Sequence, residues 1–333
     1  MRKRENPDLI VAVTHTGLTI ARSIAREMPE FDVVLSGHTH ERTAWPIIEG
    51  KVLVVEPGAF GSWLGRLDLI LKPEGGIAAH EFQLIPILEN KYAEEPTVKK
   101  LVDASLKPHR DRMAREVGKT DTILMRYDVL ETSADDFVSD AVKAITGADI
   151  GITNGFRFGV PVASSITEGA LWNCRWMLAW KKGWVTGKEL RDYWEDEFEM
   201  VYSESPMKLN GGWGPRASGM DIVFDAHAKH GHRVVSIKVG DREIADDGHY
   251  TFAGCEREGE PVDVICRHRN THDAEVLPFS IHEALSRYLK SNPLISPKPD
   301  GREKARDLPA MVFSQDAILA GGKLGEAPTT PEG

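Results

Sequence analysis

Hydrophobic and polar positions divide the N-terminal part of the chain into short strands and one amphipathic helix. The apolar run Leu9–Val13 predicts a strand that is covered on both faces. Apolar residues then recur with helical spacing over Leu18–Met28, and Asp32–Ser36 predicts a second buried strand. Further strands are predicted at Val52–Val55 and Leu67–Leu71. This succession is typical of an α/β domain built in layers.

A charged segment with helical spacing separates this part from a second one. Residues 89–117 are predicted to form a helical linker with breaks at Pro96 and Pro108. The first helix beyond it is predicted to have Thr132 or Ser133 as its N-cap. Helices are predicted at Ala134–Thr146, Gly187–Glu197 and Ile281–Lys290, and strands at Ile150–Thr153, Met220–Phe224 and Val234–Val239. The pattern predicts four parts, which are residues 1–88, 89–117, 118–292 and 293–333.

A tryptophan-rich segment, Leu171–Trp184, lies within the second part. Trp172, Trp176 and Trp180 recur every four residues, which predicts one face of an amphipathic helix. Packing in the core is the default interpretation of these rings, and contact with a partner or carrier protein is the alternative.

Composition and charge restrict the classes of function. The 333 residues are 41% hydrophobic, and the formal net charge of −10 argues against general binding to nucleic acids, which needs clustered Lys and Arg. No apolar run approaches the ~18 residues that span a membrane, so no membrane contact is predicted. Met1–Pro7 is basic and polar, and no signal peptide is predicted in this chain. From Ser291 the chain is rich in Pro, Gly, Lys and Asp, and its last residues, GEAPTTPEG, are typical of disorder.

The three cysteines, Cys174, Cys255 and Cys266, show no CxxC spacing, so a cysteine-rich metal site is not predicted. Free thiols that pack as small hydrophobic side chains are the default interpretation. A disulfide between Cys255 and Cys266, formed in an oxidising compartment, is the alternative.

Histidines follow two of the predicted strands at matching positions. His15 comes directly after the first strand, and His38 and His40 lie in the turn SGHTH after the second. If the two strands are parallel neighbours, both ends lie at the carboxyl edge of the sheet, where open α/β sheets bind ligands. Neutral imidazole is a common ligand of Zn, Mn and Fe, so these three residues are predicted to bind metal. Surface solvation is the interpretation for a second group in a charged loop, His227, His230 and His232.

These motifs resemble a known family. GHTH after a buried strand, together with an upstream strand that ends in His15, resembles the last two metal motifs of the calcineurin-like metallophosphoesterases. Val54–Leu71 resembles the stretch that follows GHTH in 5'-nucleotidases, and the resemblance continues to about Lys290. It implies the C-terminal portion of an α/β metallophosphoesterase-like layered domain, followed by an α+β 5'-nucleotidase C-terminal domain that binds substrate.

Within this superfamily, the second part resembles the SoxB-like thiosulfohydrolase branch. Three stretches carry this resemblance. Ala148–Ile150 through Asn154–Gly159 resembles the acidic strand and GFRWG segment of that branch, Gly211–Gly219 resembles its GG-x-x-x-R-x-x-G segment, and Asp225–Arg233 resembles the segment after that. The resemblance makes Asn154, Arg157 and Arg216 candidates for substrate binding, since guanidinium groups pair with tetrahedral oxyanions. Phe156, Phe158 and Trp213 are left undecided between pocket walls and core.

The resemblance implies two divalent metal ions, with manganese favoured and zinc as the alternative, that activate a water molecule. It assigns His15 and His38 to one metal and His40 to the other. It also exposes a gap, because the family's Asp-x-His, Gly-Asp and Gly-Asn-His motifs, including the catalytic His, do not occur upstream of His15. Arg2–Pro7 resembles the end of the helix that precedes the His15 strand, so Met1 is interpreted as an internal start or the edge of a truncated reading frame.

Three hypotheses follow. The first is a metal-dependent hydrolase of a sulfonate or thiosulfate group, on an anionic small molecule or a sulfur-carrier protein, with the intact family member in the periplasm. The second is a 5'-nucleotidase or phosphatase that acts on nucleotides. The third is an inactive fragment or binding module. Under each of them, this chain alone is expected to be a poor catalyst.

Overall fold

The computed structural model describes residues 2–155, 159, 161–173, 179–209, 212–256 and 259–308. The chain forms two compact units. The first unit comprises Met1–Arg110 together with Glu199–Gly212, and the second comprises Asp111–Phe198 and Trp213–Gly333. The joining of Glu199–Gly212 to the first unit is a tertiary feature that the sequence pattern does not indicate. The division into four parts with the boundaries given above stays a prediction.

The first unit contains a four-stranded sheet and a separate two-stranded sheet. Its elements are α1 (Arg2–Glu5), β1 (Val11–Thr14), α2 (Leu18–Glu27), β2 (Val33–Ser36), β3 (Ile47–Glu49), β4 (Val52–Val55), β5 (Trp63–Leu71), β6 (Ile77–Pro86) and α3 (Pro96–Leu106). The larger sheet has the order β1-β2-β4-β3, in which only β3 runs antiparallel to its neighbour. Strands β5 and β6 pair with each other in antiparallel orientation. Helix α2 packs on one face of the larger sheet through Ala21, Ala25, Val34, Val52 and Val54.

The prediction that the first strand is covered on both faces is wrong. Ala12 of β1 packs toward α2, but Val11 is 42% exposed and Val13 is 80% exposed. The partner of Val13 across the β1–β2 pair is Leu35, which is also exposed. An apolar run indicates that a strand can be buried on both faces, but it does not say that this chain covers both. Val11 and Val13 therefore form an exposed apolar surface at the edge of the sheet.

The second unit is built from three sheets and the helices that pack on them. Its elements are α4 (Arg110–Ala114), β7 (Glu116–Leu124), α5 (Ser133–Thr146), β8 (Ile150–Thr153), β9 (Val162–Thr167), α6 (Glu168–Asn173), β10 (Ala179–Thr186), α7 (Gly187–Tyr202), β11 (Arg216–Ser218), β12 (Met220–Phe224), β13 (Val234–Val239), β14 (Arg242–Glu243), β15 (His249–Cys255), β16 (His272–Ser280), α8 (Ile281–Ser291), β17 (Leu294–Ile295) and β18 (Glu303–Ala305). The sheets have the orders β11-β8-β15-β10-β16, β14-β13-β12-β18 and β17-β7-β9.

Helix α5 shows how local sequence sets an element of this unit. The side chain of Thr132 accepts a hydrogen bond from the backbone N–H of Asp135 and caps the helix, which confirms the predicted start. The helix ends at Gly147, whose φ of 61° is the left-handed conformation that glycine adopts at low cost. Its apolar side packs against β8, in which all four residues are buried.

The predicted tryptophan helix is wrong. Trp172 lies in α6, whereas Trp180 lies in β10, which pairs with β15 and β16. The regular spacing of the tryptophans therefore does not indicate a single helix. The pairing of β10 depends on residues far along the chain, which the local spacing of side chains cannot show. Trp180 is 1% exposed, which confirms core packing for that ring. Trp176 lies outside the described residues.

The segment after Ser291 contains two short strands that composition does not predict, which are β17, paired with β7, and β18. β18 adds to the sheet beside β12 in parallel orientation, with Ile222 opposite Glu303. The last residues, GEAPTTPEG, lie outside the described residues.

Cys255 and Cys266 form a disulfide, so the default interpretation of free thiols is wrong for this pair. Both cysteines are buried, and the bond closes the loop between β15 and the turn at residue 266. Cys174 lies outside the described residues.

Among the described residues, none of the helices combines the length and the apolar character needed to cross a membrane.

Candidate metal centre

The candidate centre lies at the carboxyl edge of the β1–β2 pair. The two strands run parallel, and Thr14 of β1 lies opposite Ser36 of β2. His15 therefore leaves the sheet at the same edge as the SGHTH turn, as the sequence pattern predicts. The backbone holds the two ends together, because Gly37 N–H donates to the Thr14 carbonyl at 3.1 Å and Gly17 N–H donates to the Gly37 carbonyl at 2.8 Å.

His15 and His38 converge on each other. Nε2 of His15 lies 3.2 Å from Nδ1 of His38, and the ring centroids are 4.8 Å apart with a 60° angle between the planes. Two imidazole nitrogens that bind one tetrahedral metal ion at about 2.0–2.1 Å lie roughly 3.3 Å from each other. The pair therefore has the separation of two ligands of one ion. Without an ion, the same approach is a hydrogen bond whose donor depends on the tautomers.

The turn that carries His38 and His40 adopts an uncommon backbone conformation. The φ angles are 101° at His38 and 65° at His40, in the left-handed region that non-glycine residues rarely adopt. Such conformations persist when the surrounding structure holds them in place, and they concentrate at functional sites. The His40 ring meets Phe60 edge-on, with the centroids 5.1 Å apart.

The fit to a metal centre is partial. His15 and His38 meet the distance requirement for one ion. In the part of the chain that the structure describes, however, no group of three or more His, Cys, Asp and Glu side chains could hold a metal ion. The ligand role of His15, His38 and His40 stays a prediction, and further ligands are needed to complete two metal positions.

A buried carboxylate that sequence reasoning missed lies beneath the turn. Glu56 follows β4, has no exposed surface, and its carboxylate accepts hydrogen bonds from three groups. The donors are Ser36 Oγ at 2.7 Å, Thr39 Oγ1 at 3.1 Å and Glu41 N–H at 3.1 Å. A fully buried carboxylate is unusual unless its oxygens are paired. The signal in the sequence was a single acidic residue at the end of the apolar run VLVVE.

Thr39 links this carboxylate to helix α2. Its Oγ1 accepts a hydrogen bond from the backbone N–H of Leu18, the first residue of the helix, at 2.9 Å. A Cβ at Gly17 would lie 2.4 Å from Cγ2 of Thr39, so only glycine fits at that position. Burial raises the pKa of Glu41, and the nearby charge of Glu56 acts in the same direction.

The second unit contains the predicted substrate-binding residues. Arg216 is 0% exposed, and its Nη2 donates to the carbonyls of Asp128 and Val129 at 2.9 and 2.8 Å. Its Nη1 donates to the Gly214 carbonyl and lies 3.6 Å from a carboxylate oxygen of Glu303. These contacts give the guanidinium a structural role, and direct contact of Arg216 with a substrate anion stays a prediction.

Asn154 lies next to Arg216. The preceding residue, Thr153, pairs with Arg216 across β8 and β11, and Asn154 is 3% exposed. Its backbone carbonyl accepts a hydrogen bond from Arg126 at 2.7 Å, whereas neither its Oδ1 nor its Nδ2 has a hydrogen-bond partner in the described structure. Arg157, Phe156 and Phe158 lie outside the described residues. The ring of Trp213 meets Tyr127 edge-on, with centroids 6.2 Å apart.

The loop DAHAKHGH shows exposed histidines paired with carboxylates. His227 Nδ1 lies 3.0 Å from Asp307, and His230 Nε2 lies 2.8 Å from Asp196. These are surface pairs that agree with the interpretation of a solvated loop.

Comparison with known proteins identifies the class. Residues 116–255 match the sequence profile of the 5'-nucleotidase C-terminal domain. The chain is 28% identical to the trifunctional nucleotide phosphoesterase YfkN of Bacillus subtilis, in an alignment that covers 93% of this chain and 22% of that protein. The structure of the sulfate thiohydrolase SoxB from Thermus thermophilus matches with a TM-score of 0.80 and 26% identity, covering 92% of this chain and 56% of SoxB. A 5'-nucleotidase precursor from Thermus thermophilus matches with a TM-score of 0.79, 18% identity and coverage of 92% and 66%, which shows the fold alone.

Residues 116–255 are thus assigned to the 5'-nucleotidase C-terminal domain, and the chain as a whole is similar to members of the 5'-nucleotidase superfamily. Its fold is that of part of a metallophosphoesterase-like domain followed by the 5'-nucleotidase C-terminal domain, which confirms the predicted fold class. The chain spans 22% of the length of YfkN and 56% of the length of SoxB.

Proposed function

We propose that this chain is the part of a dinuclear-metal hydrolase that contributes His15, His38 and His40 to the metal centre. The observation that carries the proposal is the 3.2 Å separation of His15 Nε2 and His38 Nδ1 at the carboxyl ends of two parallel strands. Two bound divalent ions, manganese or alternatively zinc, would supply charge stabilisation for an anionic substrate and lower the pKa of water. The remaining ligands would come from outside the residues described here.

The substrate we propose is a sulfonate or thiosulfate-type group, hydrolysed as in the thiosulfohydrolase branch. The support is the match to SoxB at 26% identity, together with the three SoxB-like segments, around Asn154, at Gly211–Gly219 and at Asp225–Arg233. In this proposal Asn154 provides a hydrogen-bonding side chain, since its buried amide has no partner among the described residues. Arg157 and Arg216 provide positive charge to the same substrate.

Hydrolysis of nucleotides is the second candidate. The observation that favours it is the 28% identity to YfkN, a protein named as a nucleotide phosphoesterase, over 93% of this chain. The two candidates share the metal centre and differ in the group that is hydrolysed, a sulfonate-type group or a phosphate ester, so that one set of assays separates them.

We also propose that the protein works in the periplasm. The disulfide between Cys255 and Cys266 supports this location, because structural disulfides persist in oxidising compartments and are rare in the cytosol.

The test of the proposed function measures metal binding and turnover with the same variants. We expect His15→Ala and His38→Ala to weaken manganese or zinc binding at least about tenfold, a loss seen even for residues that only support a ligand. His80→Ala is the matched control, because His80 is exposed on β6 of the same unit. Unchanged metal binding in both His15→Ala and His38→Ala would refute the proposed centre.

Turnover is then assayed with a thiosulfonate, a nucleotide and a generic phosphodiester. Because the described ligands do not complete two metal positions, we expect the chain alone to fall far below the ~1–1000 per second of ordinary enzymes. Turnover in that range would show that the chain supplies the ligands itself. A preference for the nucleotide over the thiosulfonate in any residual activity would favour the second candidate.

A further inference from the structure

We propose that Glu56 is a positioning residue that holds the SGHTH turn in the conformation that brings His38 to His15. This inference rests on the proposed function, because it assigns a role to Glu56 through the metal-binding histidines. Glu56 itself is not proposed as a ligand. Its carboxylate lies beneath the turn and accepts three hydrogen bonds that the turn donates.

In the sequence, the three donor residues lie before, between and after the two histidines of the turn, His38 and His40. Ser36 precedes His38, Thr39 lies between the two histidines, and Glu41 follows His40. Their hydrogen bonds to one carboxylate, at 2.7, 3.1 and 3.1 Å, therefore fix the turn before, between and after its two ligands. A carboxylate can accept several hydrogen bonds at once, and charge-assisted hydrogen bonds are stronger than neutral ones.

Glu56 is itself held rigidly. It follows β4, whose four residues are all buried, and β4 pairs with β2 so that Val55 lies opposite Leu35. Its backbone N–H donates to Thr43 Oγ1 at 3.1 Å, and its carbonyl accepts from the same hydroxyl at 3.1 Å. A carboxylate anchored to a packed strand can transmit that rigidity to the turn, because sites are most precise where the supporting side chains are locked.

The backbone of the turn needs this support. His38 and His40 both have positive φ, which costs free energy for residues with a Cβ unless their surroundings hold them in place. Without the Glu56 carboxylate, Ser36, Thr39 and the Glu41 N–H lose a shared acceptor, and we expect the turn to relax. Relaxation would separate His38 from His15, whose 3.2 Å approach is the feature that suits one metal ion.

The experiment compares a substitution that changes the Glu56 carboxylate with one that changes only the hydrogen bonds to the Glu56 backbone. Glu56→Gln keeps the shape of the side chain but replaces an acceptor oxygen with a donor, so that the turn loses part of its support. Thr43→Val is the matched control, because it removes two hydrogen bonds to the Glu56 backbone and leaves the carboxylate contacts in place. Both variants are expected to lower stability, but only Glu56→Gln should disturb the histidines.

The readout is the affinity of the full chain for cobalt(II), followed by its absorption spectrum, with the unfolding midpoint measured in parallel. We expect Glu56→Gln to weaken cobalt(II) binding by about 10–100-fold, the range typical of groups that orient a ligand. Thr43→Val should stay within about twofold of the wild type. If Glu56→Gln does not fold, Ser36→Ala removes one donor and should weaken binding by a smaller factor.

Wild-type cobalt(II) affinity in Glu56→Gln, or an equal loss in Thr43→Val, would overturn the positioning role while leaving the proposed centre intact. If the wild-type chain binds cobalt(II) no better than His15→Ala, the proposed centre fails, and the role of Glu56 fails with it.

Discussion

Strands β1 and β8 have similar apolar sequences, but β8 is buried in the second unit and β1 is partly exposed in the first. β8 in the second unit has β11 on one side and β15 on the other, and all four of its residues are buried. Among the described residues, β1 in the first unit has a neighbouring strand on one side only, and its Val13 is 80% exposed. The two strands have similar apolar sequences, IGIT and VAVT, but opposite environments. In the second unit, neighbouring elements bury the apolar strand completely. In the described residues of the first unit, an apolar strand stays partly exposed beside the candidate metal centre.

The largest expected effect follows directly from this contrast. Ile152→Ala in β8 should lower the free energy of unfolding by about 2–5 kcal/mol, because Ile152 is fully buried and the substitution leaves a cavity. Val13→Ala in β1 should change it by less than about 0.5 kcal/mol, as for most surface substitutions. Denaturant unfolding of both variants measures the difference. A large loss in Val13→Ala would mean that the strand is covered in solution, and the contrast between the two units would be lost.

The sequence predicts the second unit well where its signals are local. The bounds of β8, β12 and β13 match the predicted strands, and α5 starts behind its predicted cap, Thr132, because caps and alternation depend on neighbouring residues. β10 was missed because its pairing with β15 and β16 is set by residues far along the chain.

The candidate site was predictable only in part, for the same reason. His15 and His38 were found because both follow apolar runs, and parallel pairing of β1 with β2 brings them together. Glu56 has no spacing relation to either histidine, so that its place under the turn appears only once β4 pairs with β2. The burial of Arg216 was missed because Arg in a glycine-rich segment is usually interpreted as exposed.

Buried carboxyl groups give a second contrast between the units. The Glu56 carboxylate accepts three hydrogen bonds, whereas neither oxygen of Asp136 in α5 has a hydrogen-bond partner in the described structure. Burial raises the pKa of Asp136 to about 9, and burial likewise raises the pKa of Glu303 to about 8. Arg302 Nη1 lies 3.9 Å from Asp136 and offsets the effect only in part.

This contrast predicts a pH dependence of stability. The ordinary pKa of Asp136 is 3.8, so above it the unfolded chain has released a proton that the folded chain still binds. The free energy of unfolding should therefore fall as the pH rises from about 4 to about 9, by at most about 1.4 kcal/mol per pH unit for one group. Asp136→Asn removes this group, and we expect a shallower decline and a higher stability at pH 8 than in the wild type.

The control for that measurement is Asp221→Asn, a substitution at an exposed position of β12 in the same unit. Thermal unfolding of the three proteins across this pH range gives the slopes. An Asp136→Asn variant that keeps the wild-type slope would show that Asp136 ionises normally in the folded chain.

The smallest expected change in stability, but a clear change in assembly, comes from the edge of β1. The outer edge of this strand has no partner strand among the described residues, and its exposed side chains are apolar, which is the combination that promotes pairing between copies. Val13→Lys should reduce self-association, because an edge lysine opposes the addition of another strand, while the unfolding free energy changes by less than about 0.5 kcal/mol. Sedimentation over a range of protein concentrations measures the effect.

Val98→Lys on helix α3 is the matched control, since it adds the same charge in place of another exposed valine of the first unit. An equal reduction in both variants would assign the effect to net charge, and a wild-type chain that stays monomeric at high concentration would show that the β1 edge is protected. Reduced association in Val13→Lys alone would locate the contact at the uncovered strand, next to His15.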